Sequence, residues 1–146
     1  MAIRTIVVGT DFSGPARAAC DWAVELAGAL GARVVVAHVF DMPIVGLPDA
    51  SIMVDAKTAA RLSDDAQRAL DAETARVADR GVAVEGRLRQ GDAREVLPSL
   101  AATLDAGMLV VGSHGRRGLA RALLGSVAEE VMRASTVPVT VVRHPG

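Results

Sequence analysis

Five short apolar stretches rich in Val and Ile alternate along the chain with longer segments whose apolar residues recur at helical spacing. A continuous β-branched stretch is typical of a strand buried on both faces, and the longer repeat is typical of an amphipathic helix. The predicted strands are Thr5–Gly9, Arg33–Val39, Val82–Leu88, Met108–Val111 and Pro138–Val142. Strands separated by helices require crossover connections, so the pattern predicts a Rossmann-like α/β fold: an open, mostly parallel, five-stranded sheet with helices on both faces.

The predicted helices are bounded by residues that favour helix starts and ends. These signals are Ser13 and Pro15 at the first start and Gly31 at its end, Gly81 after a helix over Ala56–Arg80, and Asp92 with Glu95 as a capping box at the third start. Pro98 is expected to bend the third helix or to delay its start. The last helix is predicted to begin at Leu119 or Gly125 and to end near Ala134.

Two segments differ from the buried strand pattern. Asp41–Val54 carries two prolines and a glycine and is predicted to be a loop. The third strand, Val82–Leu88, is more polar than the others, which predicts an edge position in the sheet. The chain contains no linker, repeat or low-complexity stretch, so residues 1–146 are predicted to form a single domain.

Composition and charge narrow the classes of function. Of 146 residues, 51% are hydrophobic and 23% are charged, with a net charge of −1, which suits one buried core and excludes a disordered chain. This balance gives no bulk attraction to nucleic acid or to an anionic membrane, and neither partner is expected. Cys20 is the single cysteine, so an intramolecular disulfide is excluded. With no signal peptide or apolar span recognised, a cytoplasmic protein is expected.

The segment after the fourth strand carries the most specific pattern: Gly112, two residues, Gly115, nine residues, then Gly125 and Ser126. Gly112 is expected to close the strand in a tight turn, and Gly115 lets backbone N–H groups approach a phosphate with no side chain between. The N–H groups at the start of the following helix, together with the Ser126 hydroxyl, form an anion site. Arg116 and two further arginines in this segment can neutralise phosphate charge. The alternative is a strand-to-helix loop without a ligand.

This pattern differs from the two best-known phosphate-binding motifs. It contains no Gly-Lys-Ser/Thr, and the first strand does not lead into a three-glycine turn. Asp11 follows the first strand, and if the first and fourth strands are neighbours, Asp11 and Gly112 face one crevice. A carboxylate there can accept hydrogen bonds from ribose hydroxyls, or it can form an Asx turn or helix cap; the two roles can coexist.

At these residues the chain resembles the universal stress protein family. The resemblance extends over almost the whole chain and includes the opening Ile6–Ser13, the Gly112–Ser126 pattern and the closing Pro138–Val142. It implies the strand order 3-2-1-4-5, ATP binding accompanied by Mg²⁺ or Mn²⁺, and a homodimer formed largely through the fifth strand. Two residues depart from the family pattern: Pro98 within the third helix, and Gly107, where relatives often have an acidic residue.

The resemblance also implies roles for individual residues. Asp11 would meet the ribose, Gly9 and Val39 would border the adenine, and Val111 would lie behind the nucleotide. The residues that would line the phosphates are Gly112, His114, Gly115, Gly125, Ser126 and Val127. His114 either contacts phosphate or projects into solvent, whereas His38 is interpreted as a core histidine of the second strand.

Three functions remain open at this point. The first is an ATP-binding regulatory protein of the stress response. The second is a slow ATPase or phosphoryl-transfer enzyme, which would need a positioned base that the sequence does not supply; no catalytic residue is assigned. The third is an interaction module that works without nucleotide.

Overall fold

A computed structural model describes residues 2–42, 44–47, 50–53, 55–114 and 124–144. Its strands are β1 (Thr5–Gly9), β2 (Arg33–Phe40), β3 (Ile44–Leu47), β4 (Ala50–Met53), β5 (Val84–Gln90), β6 (Met108–Gly112) and β7 (Val139–Val142). Its helices are α1 (Gly14–Leu30), α2 (Ala56–Ala78), α3 (Ala93–Thr103) and α4 (Ser126–Ala134).

Five of these strands form one parallel sheet in the order β5-β2-β1-β6-β7. Counted over the strands predicted from sequence, this is the order 3-2-1-4-5, so the predicted α/β fold is confirmed. Every residue of the central strand β1 is buried, as its β-branched composition predicts. The polar strand β5 lies at one edge, also as predicted.

Helices cover both faces of the sheet. On one face, α1 and α2 pack on the even-numbered side chains of the central strands, with Ile6, Val34 and Leu70 at the centre of the cluster. On the other face, α3 and α4 pack on the alternate side chains around Val7 and Leu109. Because successive strand side chains point to opposite faces, one run of apolar residues fills both layers.

The caps of α1 agree with the prediction. The Ser13 hydroxyl accepts a hydrogen bond from the Ala16 amide, and Gly31 ends the helix with φ 69°, a left-handed conformation that favours glycine. In α3 the Asp92 carboxylate caps the helix through the amide of Arg94.

Pro98 does not delay the start of α3, which begins at Ala93 and continues through Pro98 to Thr103. Proline lacks the amide hydrogen that would bond one turn back, so this helix lacks one backbone hydrogen bond. Pro98 itself is buried, and its burial offsets part of that loss.

The prediction of a loop over Asp41–Val54 is wrong in part, because β3 and β4 lie within it and pair antiparallel. Gly46 lies inside β3 instead of ending it, paired with Ser51. The β-branched residues of this segment favour strands, and their preference outweighs the breaker residues that suggested a loop. Among the described residues, no helix is long and apolar enough to cross a membrane.

Candidate functional site

A crevice is expected where the sheet order reverses, between β1 and β6. From β1 the chain proceeds outward through β2 to β5, whereas β6 and β7 lie on the opposite side of β1. In open α/β sheets, ligands bind outside the carboxyl ends of the strands at such a point. Val8 of β1 pairs with Val110 of β6. Asp11 and Ser113 each come three residues after this pair, just beyond the ends of the two neighbouring strands. The topology therefore brings the two predicted halves of the site to one end of the sheet.

The turn after β1 has a defined conformation. The Asp11 carboxylate accepts a hydrogen bond from the Ser13 amide at 3.0 Å, and the Thr10 hydroxyl accepts one from the Phe12 amide at 3.0 Å. Phe12 has φ 65°, in the left-handed region that bulky side chains rarely adopt. Asp11 thus forms the Asx turn foreseen as one of its roles, and the residue is half-buried.

The end of β6 lies directly against the first turn of α1. A Cβ atom placed on Gly112 would lie 2.9 Å from the backbone carbon and oxygen of Pro15. The glycine is therefore required by this close approach, and not by the tight turn expected from sequence, since its φ is outside the left-handed region. The next residue, Ser113, is buried, and its hydroxyl lies 3.2 Å from Nδ1 of His114.

A backbone hydrogen bond joins the two ends of the glycine pattern. The Gly125 amide donates to the Ser113 carbonyl at 2.6 Å, so the start of α4 is fixed beside the end of β6. Gly125 is the N-cap of α4, and no side chain of the described residues caps that helix. By contrast, α1, α2 and α3 are capped by the side chains of Ser13, Asp55 and Asp92.

This arrangement suits an anionic group at the start of α4. The first N–H groups of a helix have no acceptor within the helix, and the helix dipole places partial positive charge there. Ser126 supplies a hydroxyl at the first helical position and is exposed, as is Val127. These groups can therefore reach a ligand from solvent.

The remaining predicted residues lie around the same end of the sheet. Val111 is buried near the end of β6, and Val39 is half-buried near the end of β2. Gly9 is buried, and a Cβ there would lie 2.6 Å from Cδ1 of Leu97, so this glycine allows α3 to pack on β1. Gly115 and Arg116, with the alternative helix start at Leu119, lie outside the described residues.

Sequence reasoning placed His38 in the second strand but missed its contacts with the turn after β1. The residue is half-buried, its Nδ1 lies 2.7 Å from the Thr10 carbonyl oxygen, and its ring centroid lies 4.4 Å from that of Phe12. His38 therefore contacts the turn that carries Asp11. The sequence did contain one signal for this contact. His38 lies next to the predicted site residue Val39 near the end of β2, and β2 is the neighbour of β1.

Comparisons with known proteins identify the family of this chain. The sequence model of the Universal stress protein family matches residues 2–143. The chain is 32% identical over 144 residues to Universal stress protein MJ0531 of Methanocaldococcus jannaschii, covering 97% of this chain and 83% of that protein. It spans 45% of the length of a relative from Mycobacterium tuberculosis, Rv2005c, to which it is 33% identical.

Two solved structures share the fold over nearly the full length of both chains. Protein MJ0577 of Methanocaldococcus jannaschii superposes with a TM-score of 0.85 at 25% identity, covering 100% of this chain and 99% of the other. A universal stress protein crystallised in complex with cAMP superposes with a TM-score of 0.72 at 29% identity, covering 98% of both chains. On the family match, the relatives and the shared architecture, the chain belongs to the universal stress protein family.

Proposed function

We propose that this chain is a regulatory protein of the stress response that binds ATP, or a related adenine nucleotide, at the carboxyl ends of β1 and β6. The hydrogen bond from Gly125 to Ser113 carries the proposal. It holds the N-terminus of α4, which no side chain among the described residues caps, beside the end of β6, where the glycine pattern begins. The backbone N–H groups and the dipole of such a helix start favour the binding of phosphate.

The proposal assigns each part of the nucleotide to a different part of the crevice. Its phosphates would lie at the start of α4, near the Ser126 hydroxyl and the first amides of the helix. Its ribose would lie against Asp11, whose carboxylate is already held by the Ser13 amide and can accept further hydrogen bonds. Its base would lie toward Val39, a half-buried apolar side chain of the next strand.

A relative supports the choice of an adenine nucleotide. The universal stress protein in complex with cAMP shares 29% identity with this chain over 98% of its length. Cyclic AMP contains the adenine, ribose and phosphate groups that the crevice is proposed to recognise.

A divalent cation would accompany the phosphates. The described residues hold no group of three or more His, Cys, Asp or Glu side chains able to bind a metal ion by themselves. Mg²⁺ or Mn²⁺ would therefore be held mainly by phosphate oxygens and water, with Asp11 in reach through a water molecule. When bound, the metal would neutralise phosphate charge.

We infer that two copies associate through β7, in the cytoplasm. β7 is an outer strand of the sheet, and its side chains are half-buried in the single chain. Met132 on α4 is 47% exposed, which adds apolar surface to the proposed interface. Analytical ultracentrifugation of the wild type and of Met132→Lys tests this, since a charge on this exposed apolar surface should leave a folded monomer.

The nucleotide proposal is tested by denaturing freshly purified protein and separating the released small molecules by ion exchange. We expect about one adenine nucleotide per chain, or a thermal shift when Mg-ATP is added to empty protein. The ratio of ATP to ADP over time then separates a binding protein from an ATPase. Empty protein that ignores Mg-ATP would overturn the proposal and favour an interaction module.

A further inference from the structure

The Thr10–Ser13 turn, which presents Asp11, has a conformation that its own sequence does not favour. Phe12 has φ 65°, although aromatic side chains rarely occupy the left-handed region. Residues in such conformations persist where the surrounding structure holds them, and they concentrate at ligand sites. The contacts that hold Phe12 therefore also set the direction of the Asp11 carboxylate.

Two residues of β2 hold this turn through the backbone amide and the backbone carbonyl of Thr10. The Thr10 amide donates to the carbonyl of Ala37 at 2.9 Å, and the Thr10 carbonyl lies 2.7 Å from Nδ1 of His38. A carbonyl oxygen can only accept, so Nδ1 of His38 carries the hydrogen and donates it. The peptide group that leads into Asp11 is thus fixed from the neighbouring strand.

The imidazole ring makes a second contact with the turn. Its centroid lies 4.4 Å from that of the Phe12 ring, with 45° between the ring planes. This distance is typical of favourable aromatic pairs. One side chain therefore supports both the carbonyl before Asp11 and the strained residue after it.

We propose that His38 is a positioning residue for nucleotide binding: it holds the Thr10–Ser13 turn in the conformation that presents the Asp11 carboxylate to the ribose. This inference rests on the proposed function. His38 acts through Asp11 and does not itself contact the nucleotide. Its removal is therefore expected to affect recognition of the ribose hydroxyls selectively.

Two substitutions separate the two contacts of His38. His38→Phe keeps a ring against Phe12 and removes the donor to Thr10, whereas His38→Asn keeps a donor near the position of Nδ1 and removes the ring. His38→Gln, whose amide lies further along the side chain, is a second variant with the donor displaced. Circular dichroism and urea unfolding identify the variants that fold.

The measurement is the affinity of the full chain for ATP and for 2′,3′-dideoxy-ATP, both with Mg²⁺. We expect the wild type to prefer ATP by about tenfold, the worth of one hydrogen bond to a charged group. His38→Phe and His38→Gln should lose most of this preference, and His38→Asn should keep more of it. Asp11→Ala, which removes the side-chain acceptor, should abolish the preference, and adding His38→Phe to it should cause no further loss.

The outcomes distinguish the two proposals. Wild-type protein that binds neither nucleotide would overturn the proposed function and the positioning role with it. Wild-type binding with full ribose preference retained in a folded His38→Phe or His38→Gln variant would overturn the positioning role alone. Amide hydrogen exchange in ligand-free protein gives an independent check: Phe12 and Ser13 should exchange faster in His38→Phe, and unchanged exchange contradicts the role.

Discussion

The amide nitrogen of Gly125 lies 2.6 Å from the carbonyl oxygen of Ser113. This bond joins the start of α4 to the end of β6, although the two residues are separated by the whole segment between the predicted phosphate-binding glycines. Because the Gly125 amide is used here, the amides of Ser126 and Val127 are the next donors at this helix start. The predicted phosphate site can therefore be tested one donor at a time.

Replacing Ser126 by proline tests whether its amide binds phosphate. Proline is tolerated at the first position of a helix, and Gly125 already has the extended conformation that proline requires before it, with φ −71° and ψ 161°. Ser126→Ala removes the hydroxyl alone, whereas Ser126→Pro removes the hydroxyl and the amide hydrogen. We expect Ser126→Pro to weaken Mg-ATP binding about tenfold more than Ser126→Ala, measured by isothermal titration calorimetry.

A matched control is available at the start of α2. Ala56 is the first residue of that helix, and Asp55 before it has a similar conformation, φ −61° and ψ 158°, with its carboxylate capping the helix. Ala56→Pro should leave nucleotide affinity unchanged. Equal affinities for Ser126→Ala and Ser126→Pro would show that the Ser126 amide does not bind phosphate.

Gly112 is predicted to be intolerant of any side chain. Its Cβ would lie 2.9 Å from backbone atoms of Pro15, which cannot rotate away as a side chain could. Gly112→Ala should therefore lower the free energy of unfolding by about 1–3 kcal/mol, the usual effect of overpacking, and should also weaken Mg-ATP binding. Urea denaturation measures the first effect.

Gly28→Ala is the comparison for this substitution. Gly28 lies within α1, and its Cβ would make an ordinary contact of 3.6 Å with Val82. Alanine is the better helix former, so this variant should be more stable than wild type by about 0.5–1 kcal/mol. Similar destabilisation of both variants would indicate that the contact with Pro15 is not what constrains Gly112.

The fold was largely predictable because its signals are local. Strand β1 is a continuous β-branched stretch, and α1 has both a serine cap and a terminal glycine, so each element is specified by its own residues. The strands β3 and β4 were missed because their β-branched residues and their breaker residues indicate opposite structures. Local preference alone does not decide between them.

The sequence predicts the candidate site as a pattern of residues, but it does not predict how those residues contact one another. The spacing from Gly112 to Ser126 and the place of Asp11 follow from sequence and resemblance. The bond between His38 and Thr10, the ring contact between His38 and Phe12 and the close approach of Gly112 to Pro15 all join residues from different elements. Such contacts depend on how the elements pack, which no single segment specifies.

The buried thiol of Cys20 should make stability depend on pH in the alkaline range. Burial, aided by the negative charge of Glu73, raises the pKa of Cys20 from 9.0 to about 12. Above pH 9 the unfolded chain loses the thiol proton while the folded chain retains it, so the free energy of unfolding should fall as pH rises toward 12. Below pH 9 this contribution is fully present.

Cys20→Ser isolates this contribution, because a hydroxyl does not titrate in this range. The stability of the wild type relative to Cys20→Ser should decrease as the pH rises from 9.0 to about 12, as measured by urea unfolding at each pH. Parallel pH profiles for the two proteins would contradict the raised pKa.

A group of ion pairs centred on Arg76 joins α1 to α2. Its buried pair, Arg76 with Glu73, should contribute strongly to stability, whereas the exposed pair of Arg80 with Asp21 should contribute weakly. Glu73 is buried, and both its carboxylate oxygens accept from Arg76, at 2.6 and 2.9 Å, while Arg76 also bonds Asp21 on α1 at 2.8 Å. Arg76→Met leaves a buried carboxylate without its partner and should lower the free energy of unfolding by about 3 kcal/mol. The double variant Glu73→Leu with Arg76→Met should recover most of that loss, because no buried charge remains.

Arg80→Met removes an exposed pair with the same Asp21 and should lower the free energy of unfolding by less than about 1 kcal/mol. Urea unfolding of the four proteins decides the matter: a double variant as unstable as Arg76→Met would mean that packing around Arg76, and not its charge, joins the helices.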